Sequence, residues 1–342
     1  MSFKRIAQLP EPAEIIEMMP LSASMKEAKA RRDEEIRKVF SGEDDRFALI
    51  IGPCSADNED AVCSYIGRLA EIQEEVKDCI LIIPRIYTNK PRTTGEGYKG
   101  MLHQPNPSER PNMSAGIRAI RRIHMRAISE TGLSCADEML YPENYDYLED
   151  LLSYVAVGAR SVENQQHRLT CSGVQVPVGM KNPTSGDITI MLNAIKAAQV
   201  DHTFIYRGWE VESEGNPLVH AILRGAVDKF GKSIANYHFE DIMYLIGEYE
   251  KRDLKNPAII VDTNHSNSNK EYAQQPRIAL EVVRNRSFDP RVKQYLKGLM
   301  VESYLEEGRQ EIGENTFGKS ITDPCMGWEQ TARMIRQIAE EL

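Results

Sequence analysis

The 342-residue chain has no run of 18 consecutive apolar residues, which excludes a hydrophobic membrane-spanning helix. Its opening, Met1-Ser-Phe-Lys-Arg5, leads into no signal-type apolar stretch, so a soluble cytoplasmic protein is expected. No CxxC pair or paired spacing occurs among the six cysteines at 54, 63, 79, 135, 171 and 325. That pattern reads as reduced thiols, most of them small buried apolar residues, rather than a disulfide frame. Basic residues never gather into long runs and the net charge is −9, which argues against nucleic acid as a general partner. No Gly-x-Gly-x-x-Gly follows the first apolar run, no Pro-, Gly- or Ser-rich linker divides the chain, and no internal repeat is visible.

What is present is a rhythm. Short runs rich in Ile and Val at 47–51, 80–86, 133–139, 155–162, 176–181, 203–207, 258–263 and 298–303 predict eight strands. Amphipathic stretches at 59–75, 114–130, 143–153, 187–199, 238–252, 270–284 and 327–341 predict intervening helices. Alternation on this scale, with 41% hydrophobic residues to fill a core, points to an α/β (β/α)8 TIM barrel; an open doubly wound sheet is the alternative. Residues 1–45 are expected to form an N-terminal helical extension for oligomerisation or regulation, and residues 46–342 the catalytic barrel. The extension's helix is predicted to open at Ser24, with Glu27 placed as in a capping box, and to run to about Phe40. After the sixth run, residues 208–223 with Glu214-Gly-Asn-Pro217 suit a β-hairpin inserted before Arg224-Gly225.

The chemistry gathers at strand ends. Lys90-Pro-Arg-Thr-Thr94, taken alone, fits a solvated basic loop as well as a phosphate site, where Arg offers a planar fork and Lys a compact charge. The carboxyl ends of the runs give Cys54, then Arg85 with Lys90 and Arg92, then Glu138, Arg160, Lys181, Arg224, His265 and Glu302. In a (β/α)8 barrel these ends converge on the face where active sites are built. The cations Arg85, Lys90, Arg92, Arg160, Lys181 and Arg224 suffice for two phosphates and a carboxylate. Cys54, His265, Glu302 and Asp323 offer a thiolate, an imidazole and two carboxylates, a set suited to one divalent metal ion per subunit. Mn, Fe, Co, Zn and Cu are equally compatible with it. Each residue singly has a blander reading: Cys54 as a small buried residue, His265 as a hydrogen-bonded structural histidine, Asp323 as a cap for the last helix.

Eight segments carry a resemblance. IGPCS (51–55), KPRTT (90–94), GAR (158–160), GMKN (179–182), LRG (223–225), DTNHSNS (262–268), MVES (300–303) and GKSITDPCMGWE (318–329) resemble, in order, the class I DAHP synthases of the bacterial shikimate pathway. That resemblance implies condensation of phosphoenolpyruvate with erythrose 4-phosphate and water, giving 3-deoxy-D-arabino-heptulosonate 7-phosphate (DAHP) and phosphate. It matches Cys54, His265, Glu302 and Asp323 to the metal ligands. Arg85, Lys90, Arg160, Lys181 and Arg224, with Glu138 beside them, match the phosphoenolpyruvate clamp. Arg92 and Thr93, with Ser266, match the site for the phosphate of erythrose 4-phosphate. Lys90, Cys54 and His265 are the expected catalytic residues, and a homodimer or homotetramer is the expected assembly.

The related KDO 8-phosphate synthases are the nearest rival, and KPRT favours the four-carbon aldose. A Schiff-base aldolase using Lys181 and a catalytically silent sugar-phosphate sensor are weaker readings. Three departures stand out: Asn264 where the family often has Ser, Gly95-Glu-Gly97 inserted, and a shorter Met139–Asn144 region after Glu138. Tyr206 also stands where feedback-inhibited enteric enzymes have a small residue lining the effector cavity, so altered feedback control is expected. If Cys325, two residues past Asp323, approaches Cys54, loss of metal followed by oxidant would form an inactivating disulfide between them; the sequence leaves open whether the two meet.

Overall fold

In the first strand, β1 (Phe47–Gly52), Ala48 and Ile50 turn to one side while Phe47, Leu49 and Ile51 turn to the other, and every residue is buried. A strand apolar on both faces needs cover on both, which a parallel sheet wrapped by helices supplies. The computed structural model, describing residues 2–92 and 94–342, has that arrangement. The further barrel strands are β2 (Ile80–Pro84), β3 (Cys135–Glu138), β4 (Leu152–Val157), β5 (Val178–Lys181), β6 (Val219–Leu223), β7 (Ile259–Asp262) and β8 (Leu296–Glu302). They pair in parallel in the order β2-β1-β8-β7-β6-β5-β4-β3. A parallel bridge between Arg85 and Ala136, with Ile86 N donating to Ala136 O, closes the ring. The fold is a (β/α)8 barrel.

Below that bridge side chains do the work of a ladder. Gln73 Nε2 donates to Ile80 O and its Oε1 accepts from Ile82 N, while Arg32 Nη2 donates to Ile82 O. Pro84, last in β2, has no N–H to satisfy.

Two stretches differ from expectation. The run at 203–207 does form a strand, His202–Tyr206, but outside the barrel: it pairs antiparallel with Trp209–Ser213. Arg207 and Gly208 form the turn at φ 50° and 83°, the left-handed conformation a two-residue hairpin needs. Burial separates the two kinds of strand, since Ile205 and Trp209 are each 75% exposed whereas β6 is wholly buried. The sixth barrel strand therefore follows the hairpin, and a second small ladder, Ala226–Val227 with Ser233–Ile234, follows β6. The helix expected at 143–153 is instead a 3-10 turn, Pro142–Tyr147, running into β4. Tyr145, Leu148, Leu151 and Leu152 imitate helical spacing, but Leu152 already pairs with Cys135.

Two helices precede β1, Pro12–Met18 and Ala23–Ser41, the second capped by Ser22, whose Oγ accepts from Met25 N. Ile36, Val39 and Phe40 from its last turns join the core inside the ring with Ala48, Leu81, Tyr154 and Ile260. Phe40 stacks on His220 at 4.4 Å and lies 5.6 Å from Tyr154. Both partners stand near strand starts, so this helix forms the floor of the barrel, opposite the face made by the strands' carboxyl ends.

Candidate active site

Every candidate metal-binding, substrate-binding or catalytic residue named from the sequence, apart from Thr93, lines one cavity of about 410 Å³ at the carboxyl ends of the strands. Thr93 lies outside the described residues. The loops are set tightly: a Cβ on Gly52 would stand 2.3 Å from Arg85 O, so β1 and β2 can come together there only at glycine. Gly225 has φ +73°, and a Cβ on it would meet Asn267 N at 2.7 Å. Ser266 N donates to Arg224 O at 3.2 Å, which joins the loops after β6 and β7.

On one side of the cavity stand the potential metal ligands. Cys54 Sγ and oxygens of Glu302 and Asp323 lie within 4.8 Å of one another. His265 joins from β7's end, its Nε2 3.9 Å from Glu302 Oε1. Its Nδ1 faces Asp262 Oδ2 at 2.8 Å, which fixes the ring so that Nε2 points to the group. Asn264 Nδ2 donates to Glu302 Oε2 at 2.6 Å, and Gln275 holds the Glu302 backbone through Nε2 and Oε1. Sulfur, imidazole nitrogen and carboxylate oxygen in one place form a donor set that fits a divalent transition metal.

Lys90 enters this group, its Nζ donating to Cys54 Sγ at 2.7 Å and Asp323 Oδ2 at 2.8 Å. Burial works against the Lys90 charge, but Cys54, Asp323 and Glu302 outweigh it and hold the pKa above the ordinary lysine range. Burial likewise opposes the Asp323 carboxylate, yet Lys90, Lys270 and His265 hold it far below the usual range. Burial, then the Glu302 charge, pushes the Cys54 thiol up to about 11, with Lys90 pulling the other way. A bound cation would act with Lys90 and overturn the upward shift, because a coordinating thiol gives up its proton.

The opposite side is built for anions. Arg85 is 1% exposed, has its Cζ 3.6 Å from the centre of the Tyr87 ring, and pairs with Glu302 through Nη2 at 3.3 Å. Its Nε and Nη1, and Arg224 Nη1, are buried without hydrogen-bond partners among the described residues. Lys181 Nζ donates to Glu138 Oε2 at 2.9 Å, and against the pull of burial this pairing holds Glu138 below the usual carboxylate range. Arg160 is exposed at the cavity wall, and Arg92, half-buried near the mouth, donates Nε to Tyr98 O at 2.8 Å. Tyr87, Asp262 and Lys270 belong to the same site and were not singled out from sequence. Tyr87 and Asp262 sit in or beside apolar runs and read there as core, and Lys270 reads as a helix-start lysine.

Comparisons with known proteins agree with this geometry. A family model described as the DAHP synthetase I family matches residues 20–336. The chain is 34% identical to the phospho-2-dehydro-3-deoxyheptonate aldolase of Haemophilus influenzae over 345 residues, covering 98% of this chain and 92% of that protein. It is 36% identical to the Phe-sensitive phospho-2-dehydro-3-deoxyheptonate aldolase of Escherichia coli K12, covering 98% of this chain and 95% of the relative. The solved structure of the phospho-2-dehydro-3-deoxyheptonate aldolase from Francisella tularensis superposes with a TM-score of 0.91 at 31% identity, covering 99% of this chain and 98% of that one. Motifs, barrel and near-complete coverage lead to one conclusion: the chain is an enzyme belonging to the DAHP synthetase I family.

Proposed function

We propose that this enzyme condenses phosphoenolpyruvate with erythrose 4-phosphate and water to give DAHP and inorganic phosphate, using one divalent metal ion. The observation that carries the reading is the set of buried guanidinium N–H groups, on Arg85 and Arg224, that line the cavity and have no partners among the described residues. Buried unpaired donors are costly, and a ligand with both a carboxylate and a phosphate satisfies them with charge-assisted bonds. Arg160 and Lys181 add to that side of the site, while Arg92 and Ser266, with Thr93, would take the phosphate of the aldose. C3 of phosphoenolpyruvate forms the new bond to the aldehyde carbon, water adds at C2, and phosphate then leaves by C–O cleavage.

Lys90 Nζ can deliver the proton that the aldehyde oxygen needs as it becomes a hydroxyl. Glu138 is the carboxylate on the phosphoenolpyruvate side that can accept a proton from the incoming water. A metal held by Cys54, His265, Glu302 and Asp323 would supply Lewis-acid polarisation of the aldehyde. Phosphate release assayed with phosphoenolpyruvate and several aldose phosphates, with and without chelator, tests the reading. Release is expected with erythrose 4-phosphate and not arabinose 5-phosphate, lost with chelator and restored by a divalent transition metal. No release with erythrose 4-phosphate overturns it.

Regulation is part of the same reading. Tyr206 Oη donates to Asp146 Oδ1 at 2.7 Å and to Pro142 O at 3.1 Å, so a bulky anchored ring stands on the hairpin. Inhibition by free Phe, Tyr or Trp is therefore expected to be weak. Strong inhibition by Phe at sub-millimolar concentration sinks that expectation.

A further inference from the structure

Asp137 lies in β3 next to Glu138 but on the other face of the strand, and is only 3% exposed. Backbone pairing between β2 and β3 stops at the Arg85–Ala136 bridge, and from there the Asp137 side chain takes over. Thr88 N donates to Asp137 Oδ1 at 2.9 Å and Thr88 Oγ1 donates to Oδ2. Glu138 N also donates to Oδ1, at 2.7 Å. Behind the carboxylate stands His124, on the helix Met113–Thr131 and 1% exposed, with Nε2 3.6 Å from Asp137 Oδ2. Neither His124 ring nitrogen has a hydrogen-bond partner among the described residues. On the far side Thr88 O accepts from Leu102 N at 3.2 Å, so Thr88 is gripped at N–H, hydroxyl and carbonyl. Two residues later the chain delivers Lys90 into the cavity.

We infer that Asp137, backed by His124, is a positioning residue for Lys90: it fixes Thr88 and so sets where the 88–92 turn places the ammonium group between Cys54 and Asp323. A carboxylate suits this better than another strand residue would. It accepts from the backbone and the hydroxyl of one residue at once and leaves Thr88 little rotational freedom. Glu138 N shares the same oxygen, so the carboxylate registers the Lys90 turn against the residue that pairs with Lys181. The inference rests on the reading of Lys90 as a group that contacts substrate in the proposed reaction.

The test compares Asp137→Asn, Thr88→Val, Thr88→Ser and Lys90→Met with the double variant Asp137→Asn/Lys90→Met. Two readouts are taken: hydrogen–deuterium exchange over residues 86–92, and kcat/KM for phosphate release. Exchange over 86–92 is expected to quicken in Asp137→Asn and Thr88→Val and to stay near wild type in Thr88→Ser, which keeps the hydroxyl. Asp137→Asn is expected to lower kcat/KM by about tenfold to a hundredfold, as a slightly misplaced group does. It should add little further loss once Lys90 is Met, because the two act as one unit. Unchanged exchange in both Asp137→Asn and Thr88→Val overturns the positioning role, and so do losses that simply multiply in the double variant. A wild-type enzyme that releases no phosphate overturns the proposed reaction instead, and the exchange comparison then still decides whether Asp137 holds the turn.

Discussion

Arg224 uses its backbone N–H on Asn182 Oδ1, at 2.9 Å, while its buried Nη1 faces the cavity side with no partner among the described residues. Burial lowers its pKa from the ordinary arginine value, so an anion beside it relieves a real desolvation cost. Arg224→Lys keeps the charge and loses the planar fork. A charge-assisted bond is worth about 1.5–3 kcal/mol, so KM for phosphoenolpyruvate should rise roughly tenfold to a hundredfold. The melting temperature should hardly move; steady-state kinetics beside a melting curve checks both, and an unchanged KM refutes the role. Residues of this kind were legible in the sequence because a charged side chain just past an apolar run is conspicuous. Asp137 and Asp262 escaped notice for the opposite reason: each lies inside a strand, where an isolated carboxylate says nothing until its partners, Thr88 and His265, are seen in space.

At the scale of elements, the floor helix Ala23–Ser41 and the strands it touches share a titratable group. His220, wholly buried, accepts or donates at Nε2 to Tyr154 Oη at 2.8 Å and at Nδ1 to Leu218 O at 2.9 Å, and stacks on Phe40. Burial lowers its pKa from 6.5 to about 4. The folded state thus prefers the neutral ring, and its contribution to stability is full above about pH 6.5. It declines as pH falls toward 4, because the unfolded chain takes up the proton first. In His220→Gln the melting temperature should fall less steeply over that window than in wild type; parallel slopes would count against the assignment. Elements were legible to the extent that burial left a mark on composition. The strands β1 and β2 show it as nearly unbroken aliphatic runs. The hairpin His202–Tyr206 did not, because Phe204, Ile205 and Tyr206 give a half-exposed strand the same residue types as a core strand.

Across the whole molecule, the floor helix Ala23–Ser41 is part of the barrel's own packing. Ile36, Val39 and Phe40 are each no more than 1% exposed, and removing them would open apolar surface around Ala48, Leu81 and Ile260. A chain begun at residue 43 is expected to lose cooperative unfolding or to precipitate, judged against the full chain by calorimetry and light scattering; a soluble barrel with an unaltered melting curve would contradict this. Sequence could identify this helix and not its seat, since a helix rich in Lys, Arg and Glu carries its few apolar contacts inconspicuously.

A barrel ordinarily has no free strand edge, and that is its protection against aggregation. Here β2 keeps part of an edge along Ile80 and Ile82, masked by Gln73 and Arg32 instead of by a strand. Ile80–Ile83 is a short, uncharged, aliphatic segment, the kind that templates pairing between chains when it is uncovered, and only Pro84 at its end blunts it. Resistance to mispairing therefore rests on two polar side chains that belong to helices, one of them on the helix that also forms the floor.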